Sequence, residues 1–450
     1  MRMNWIDLLS KKRVGEKPGK DARLRSTFEQ DYDRIIFSSS FRSLQDKTQV
    51  FPLAGKEFAH TRLTHSLEVS SVGRSLGRQV GEIVLQDNQA LQKEGVTSYD
   101  FGTITATASL AHDIGNPPFG HAGEAGISEY FSQFEHKNVF DNELSEKEWS
   151  DICTFEGNAQ GFRILNKNFK QGLRLTNATL GAFTKYPCES LLVNRDSSRK
   201  SQKKYGVHQG NMAAFEEMAK DTGLISLSNR EKVWCRHPLS FLVEAADDIC
   251  YSIIDLEDGA NLGWISYKET EYLLSQIIGD KFMPEKMNRL NGITEKTGML
   301  RALTIFELVS QTVNAFINHE KEILSGTFDR ALTSIIPGAD ALKNIQRVSV
   351  EKIYRSRHVL EREATGFEVL HGLLDAFMPG IIGLFKNEKL TWREQCLHRL
   401  LPEETQQELN VSNGLYEKTL CLLDFISGLT DSRALSLFRN IKGIAIPGGL

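Results

Sequence analysis

The sequence predicts an all-α fold, and three observations carry that expectation. Only 11 prolines punctuate 450 residues, so long stretches run without a backbone breaker. In residues 101–110 and 239–254 apolar side chains recur at three- and four-residue steps, the helical period. Strand-like alternation of apolar and polar residues is scarce.

The elements follow in chain order. Residues 62–84 read as one helix whose buried face carries Ser70, Ser71, Gly73, Ser75 and Gly77, small side chains that let a neighbouring helix approach closely. Residues 103–112 form a second buried helix, ended by the breaker run Gly115-Asn116-Pro117-Pro118. A third helix covers residues 238–256. The acidic stretch 143–151 and the basic stretch 195–204 read as surface insertions, solvated as charge runs usually are. Beyond residue 265 the pattern continues as amphipathic helices without obvious chemistry, and no internal repeat stands out.

Composition narrows the class. The chain is 40% hydrophobic and 25% charged, an ordinary globular balance. A net charge of −4 advertises neither nucleic acid nor membrane, so a polyanionic substrate would need a local basic site. Cys153, Cys188, Cys235, Cys250, Cys396 and Cys421 are scattered without a CxxC pair and read as reduced core thiols. The start MRMNWIDLLSKKR lacks an apolar h-region, and no apolar run approaches the ~20 residues of a membrane helix, so a cytoplasmic protein is expected.

The chemistry centres on His112-Asp113. As a dipeptide it is expected by chance roughly once in such a chain. Its setting, at the end of the apolar helix in SLAHDIGNPPFGHAGE, is more informative. Two ionisable groups there are costly to bury without a partner, and a divalent cation suits imidazole and carboxylate donors. His65, in HTRLTHSLEVS, and Asp247, in EAADDICYSIIDLEDG, are the further ligand candidates. Asp247, Tyr251 and Asp255 stand at i, i+4 and i+8 and so share one helical face, which favours Asp247 over Asp248.

The ordered set His65, His112-Asp113, Asp247 resembles the signature of HD-domain phosphohydrolases. FRSLQDKTQVFP, HTRLTHSLEV, HDIGNPPFGHAGE, FEGNAQGFRIL, KYPC and EAADDICYSIIDLEDG together resemble the deoxyguanosine-triphosphate triphosphohydrolase (dGTPase) family, as does DFISGLTDSRA near Asp424. The resemblance covers nearly the whole chain as one helical unit, with an HD core at about 60–260 and a C-terminal helical part at about 266–450. It implies hydrolysis of a deoxynucleoside triphosphate at the α-phosphorus, giving deoxynucleoside and tripolyphosphate. It also implies a divalent metal (Mg, Mn, Ni or Fe) on His65, His112, Asp113 and Asp247.

His121 and Glu124, at i and i+3 on the next helix start, form an acid–base pair in which the carboxylate can orient the imidazole. Arg62, Lys185, Tyr186, Lys204 and Asn158 are the candidate phosphate contacts. The family pattern places Gln49 and Asp255 on the 3′-hydroxyl, with Val50 and Tyr251 against ribose C2′. KIYRSRHVLEREATG is similar to a segment near the base pocket, without assigned residues. Relatives form oligomers, often hexamers, and a second dNTP or single-stranded DNA is a possible effector. The alternatives are an HD hydrolase for a nucleoside monophosphate or a guanosine tetraphosphate alarmone, and a non-catalytic nucleotide- or DNA-sensing regulator. The long motifs count against the first, and the complete ligand set with His121 and Glu124 counts against the second.

Overall fold

The structure is a computed structural model that describes residues 2–15, 25–49, 60–133, 137–167 and 172–444, apart from the side chain of His358. Val50 lies outside the described residues. The described residues form helices and no strand, with only isolated β-bridges between loops.

The helices that position the site begin with α1 (Thr27–Phe37) and α2 (Arg62–Gln86). Thr61 opens α2 through a capping box with Thr64, which places Arg62 and His65 in its first turn. The buried small face of α2 runs through Ser66, Ser70, Gly73, Gly77 and Gly81, at helical spacing. Ser71 and Ser75, expected on that face, point to solvent instead because they fall a step off this period. A Cβ on Gly77 would lie 2.6 Å from the Phe101 carbonyl oxygen. That contact is why α3 (Ser98–Ala111) can press directly on α2.

After the Pro-Pro break come α4 (His121–Gln133), α5 (Gly157–Leu165) and α6 (Asn177–Phe183). The long α7 (Pro238–Asn261) starts on Pro238, whose missing N–H costs nothing at a first helical position. From Pro238 to Ala260 every residue of α7 is buried except Asp247, Asp248, Tyr251 and Ser252. An apolar helix thus opens one polar window, and the site lies there.

One apolar core joins α1, α2, α3, α6 and α7 to helices as far along as Ile353, among them α8 (Ile293–Asn318). A second core joins Ile127–Phe155 to the C-terminal helices α9 (Arg357–Phe385), α10 (Leu415–Gly428) and α11 (Asp431–Ile441). The helices just after residue 265 therefore belong with the first core, and the C-terminal helices reach back onto the segment that follows the HD dipeptide.

Three expectations are corrected. The acidic stretch lies at the surface but is not solvated throughout: Ser145 caps a helix at Glu146–Cys153 that buries Asp151 and Ile152. The basic stretch is also anchored, because Arg199 pairs with Asp329 at 3.0 Å and Ser201 and Gln202 are buried. Finally, Val359–Phe385 is long and apolar enough to cross a membrane by length and composition, although 61% of its apolar window is buried inside the fold. Its apolarity serves the second core.

Candidate active site

α2, α3 and α7 bring three donor groups together. The ligand atoms of His65, His112 and Asp247 all lie within 4.8 Å of one another. Asp247 Oδ1 is 3.3 Å from His65 Nε2 and 3.6 Å from His112 Nε2. His112 Nδ1 meets the Ser109 carbonyl oxygen at 2.7 Å, which directs Nε2 toward the cluster. Against burial, which alone would raise it, His112, His65 and Lys185 hold the Asp247 carboxyl well below the usual carboxylate range. An acidic carboxylate flanked by two imidazoles is a fitting donor set for a divalent ion.

Asp113 stands beside the triad, its Oδ1 3.7 Å from His112 Nε2. That oxygen accepts from Arg62 Nη1 and from Asn116 Nδ2, both at 2.6 Å. Its other oxygen, Oδ2, is buried without a partner. A buried carboxylate oxygen left unpaired is costly, and a cation is a natural way to satisfy it. Asp248, by contrast, accepts from Thr333 Oγ1 at 2.7 Å and is held by that contact.

His112, Asp113 and Asp247 line a cavity of about 380 Å³, whose wall also carries Arg62, Lys185 and Lys204. Lys185 Nζ lies 3.7 Å from Asp247 and 3.6 Å from the buried Glu244. Lys204 Nζ lies 3.0 Å from Glu156 and 3.8 Å from Glu124. Against burial, which would discharge it, these two carboxylates keep the Lys204 ammonium charged. Asn158 donates to Glu156 at 2.6 Å, and Tyr186 shares the same wall.

His121 is the first residue of α4 and is exposed at the cavity mouth. Desolvation there, then the charges of Lys204 and Arg62, lower its pKa, as does any helix N-terminus. Glu124 is hydrogen-bonded elsewhere. Its Oε1 accepts from Gly157 N–H at 2.8 Å, and its Oε2 faces Lys204. The i, i+3 spacing made the pair possible, but the close approach of α5 offered Glu124 a backbone donor instead.

A second lobe of about 240 Å³ adjoins the first and shares Gln49, Arg62, Gly120, His121 and Tyr251 with it. Gln49 Oε1 is buried without a partner. Tyr251 stacks on Tyr354 with ring centroids 5.6 Å apart. Asp255 is buried and reaches neither cavity wall: its Oδ2 accepts from Tyr354 O–H at 2.5 Å. Burial pushes the Asp255 carboxyl up to about 7 despite that hydrogen bond.

The turn entering α4 is constrained. Phe119 has φ 65°, left-handed for a residue with a side chain, which costs about 1–2 kcal/mol. Gly120 follows with φ 62°, and a Cβ there would sit 2.8 Å from Arg62 Nη2. Glycine therefore meets both the backbone and the space requirement.

Residues 62–154 match the HD domain, and residues 338–440 match the phosphohydrolase-associated domain. The chain is similar to a deoxyguanosinetriphosphate triphosphohydrolase-like protein of Synechocystis, 41% identical over 99% of this chain and 100% of that one. It is 37% identical to a like-named protein of Pseudomonas aeruginosa, again over 99% and 100%. A deoxyguanosinetriphosphate triphosphohydrolase of Salmonella paratyphi A is 31% identical over 93% of this chain and 94% of its own. The chain belongs to the deoxyguanosinetriphosphate triphosphohydrolase-like family.

Within this family member the geometry also names residues that sequence reasoning missed. Tyr354, Val359, Arg362 and Glu363 line the second lobe, all within the string KIYRSRHVLEREATG. That string carried the only signal, a resemblance without assigned positions. Asn116, from the break after His112, holds Asp113 and lines the first lobe. The region after residue 265, which otherwise reads as amphipathic helices without obvious chemistry, therefore supplies part of the site wall through that string.

Proposed function

We propose that the chain hydrolyses deoxynucleoside triphosphates to deoxynucleoside and tripolyphosphate, and so acts in control of dNTP pools. The observation that carries the reading is one cavity that joins the His112, Asp113 and Asp247 donors to Arg62, Lys185, Lys204 and His121. His65, His112, Asp113 and Asp247 would hold a divalent ion, Mg, Mn, Ni or Fe. When bound, such an ion supplies Lewis-acid polarisation of a phosphoryl oxygen.

The chain's own residues do the rest. Arg62, Lys185 and Lys204 offset the triphosphate charge, with Asn158 and Tyr186 as hydrogen-bonding partners. His121, its pKa held down by its surroundings, is neutral at neutral pH and placed to move a proton from the attacking water or to the leaving 5′-oxygen. Glu124 acts on this step indirectly, through its hold on Gly157 and Lys204. Gln49 Oε1 is a free acceptor for the sugar 3′-hydroxyl, and Asp255 joins it once Tyr354 releases its carboxylate. Tyr251 lies against C2′ in this reading.

The reading extends to a homo-oligomer, of hexameric size in the family's pattern, with a dNTP or single-stranded DNA as effector. A cytoplasmic site is supported by six cysteines that are all free thiols. The test is to incubate pure protein with each dNTP, singly and mixed, with Mg or Mn, and separate the products. Tripolyphosphate is expected. Orthophosphate or pyrophosphate as first product, or no turnover in any mixture, would refute the proposal.

A further inference from the structure

Asp431 lines neither cavity, yet three segments of the second lobe converge on its carboxylate. Its Oδ1 accepts from the Phe119 backbone N–H at 2.9 Å. Its Oδ2 accepts from the Thr48 backbone N–H at 3.2 Å and from Arg362 Nη2 at 2.7 Å. Phe119, Thr48 and Arg362 all face the lobe. Phe119 is two residues before His121, in the left-handed pair that aims α4, and Thr48 immediately precedes Gln49.

Neighbouring contacts repeat the tie. Buried Lys47 donates from Nζ to the Ser427 carbonyl at 2.5 Å and to the Asn116 carbonyl at 2.7 Å. Ser432 donates to Asp46 at 2.9 Å. The strip 427–432 thus clasps both the segment bearing Gln49 and the turn bearing His121. Helix capping does not explain Asp431, because Thr430 already caps α11 by accepting from Arg433 N–H at 3.3 Å. Two backbone amides and a guanidinium from separate segments are what its two oxygens serve.

We propose that Asp431 is a positioning residue that fixes the turn presenting His121 against the segment presenting Gln49, so that the C-terminal region completes a site whose chemistry lies in the first half of the chain. The inference rests on the role proposed for His121. It differs from that role in acting through backbone hydrogen bonds and touching no substrate.

The full-length Asp431→Asn variant tests it. With a dNTP that wild type turns over, kcat should fall at least tenfold, while Mn(II) binding to His65, His112 and Asp247 stays unchanged. Asp431→Asn combined with His121→Ala should lose far less than the product of the two single effects, since much of what Asp431 does runs through His121. Thr430→Ala, which removes only the cap, should lower Tm and leave kcat intact. An unchanged kcat in Asp431→Asn, or multiplying effects in the double variant, overturns the proposal. If Asp431→Asn does not fold, Asp431→Glu takes its place; failure of both to fold makes Asp431 a purely structural residue and equally overturns it. If wild type turns over no dNTP, the proposed reaction fails, and hydrogen exchange then reads the positioning directly. Asp431→Asn should speed exchange at residues 119–122 and leave residues 66–86 unchanged, and equal exchange at 119–122 overturns the inference.

Discussion

Removing the divalent ion should weaken substrate binding as well as stop turnover. Three cationic side chains on the cavity wall, Arg62, Lys185 and Lys204, face five acidic ones, Asp113, Glu124, Glu244, Asp247 and Asp248, a formal balance of −2. A triphosphate brings about four negative charges. At a mean separation of ~8 Å, each unit pair costs about 0.5 kcal/mol even in bulk water, so the eight pair terms amount to roughly 4 kcal/mol. Screening at physiological salt, with a Debye length of about 8 Å, leaves roughly 1.5 kcal/mol, or about tenfold in affinity. One divalent ion cancels the wall's formal charge. Calorimetry of dGTP binding to the His121→Ala protein, with Mn(II) or with EDTA, should therefore show at least tenfold weaker binding in EDTA. Asp247→Ala added to this background supplies an internal sign test. It loses a ligand, so it should bind dGTP more weakly with Mn(II); it also loses a negative charge, so in EDTA it should bind slightly more tightly. Equal affinity with and without metal, or the same sign of effect in both conditions, would refute the electrostatic reasoning and the ligand assignment with it.

Further outcomes follow from single side chains. His121→Ala should bind metal and dNTP nearly normally but turn over at least ~100-fold more slowly, the scale of general acid–base catalysis; lost binding with unchanged turnover would make it a substrate ligand. Wild type should prefer dGTP to GTP at least tenfold, because a 2′-hydroxyl packed against Tyr251 loses water without a new partner at about 1–3 kcal/mol, and steric clash adds to that. Tyr251→Ala should erode that preference, and equal wild-type turnover of both nucleotides would refute the deoxynucleotide reading. Acid should destabilise the fold through His208, whose burial pushes its pKa down to about 3 and whose ring nitrogens lack partners. The unfolded imidazole protonates near pH 6.5 and the folded one does not, so this stability is whole above that pH and is lost as pH falls toward 3. His208→Leu should thus lose roughly 2 kcal/mol less than wild type between pH 7 and pH 5 in denaturant titrations; parallel losses would show that His208 is not the group responsible.

What the sequence discloses depends on how local the cause is. α2 and α3 were legible because small residues and apolar steps repeat along one helix, although only the full 3.6-residue period separates Ser70, which is buried, from Ser71, which is not. His112 and Asp247 are legible because each is an ionisable group on an apolar helix, a placement that packing alone explains poorly, whereas His65 is picked out by the resemblance. The acidic and basic stretches are less legible, because formal charge alone does not show which side chains share the buried face of a helix. In Glu146–Cys153 Glu146 is exposed while Asp151, further along, is buried and accepts from the Gln209 backbone N–H and the Tyr416 hydroxyl.

Partners far along the chain are the limiting case. Nothing in YSIIDLEDG indicates that Asp255 will meet Tyr354, 99 residues later, and the same face that aligns it with Asp247 carries it beyond the cavity wall. Asp431 is further from legibility, since two of its three donors are backbone amides that any residue would offer. A side chain chosen to hold main chain leaves no complementary residue to find, so its role depends on where the fold brings the loops. This is why the candidate metal donors are legible in the sequence, while the contacts that Asp431 makes to the segments bearing His121 and Gln49 appear only in the fold.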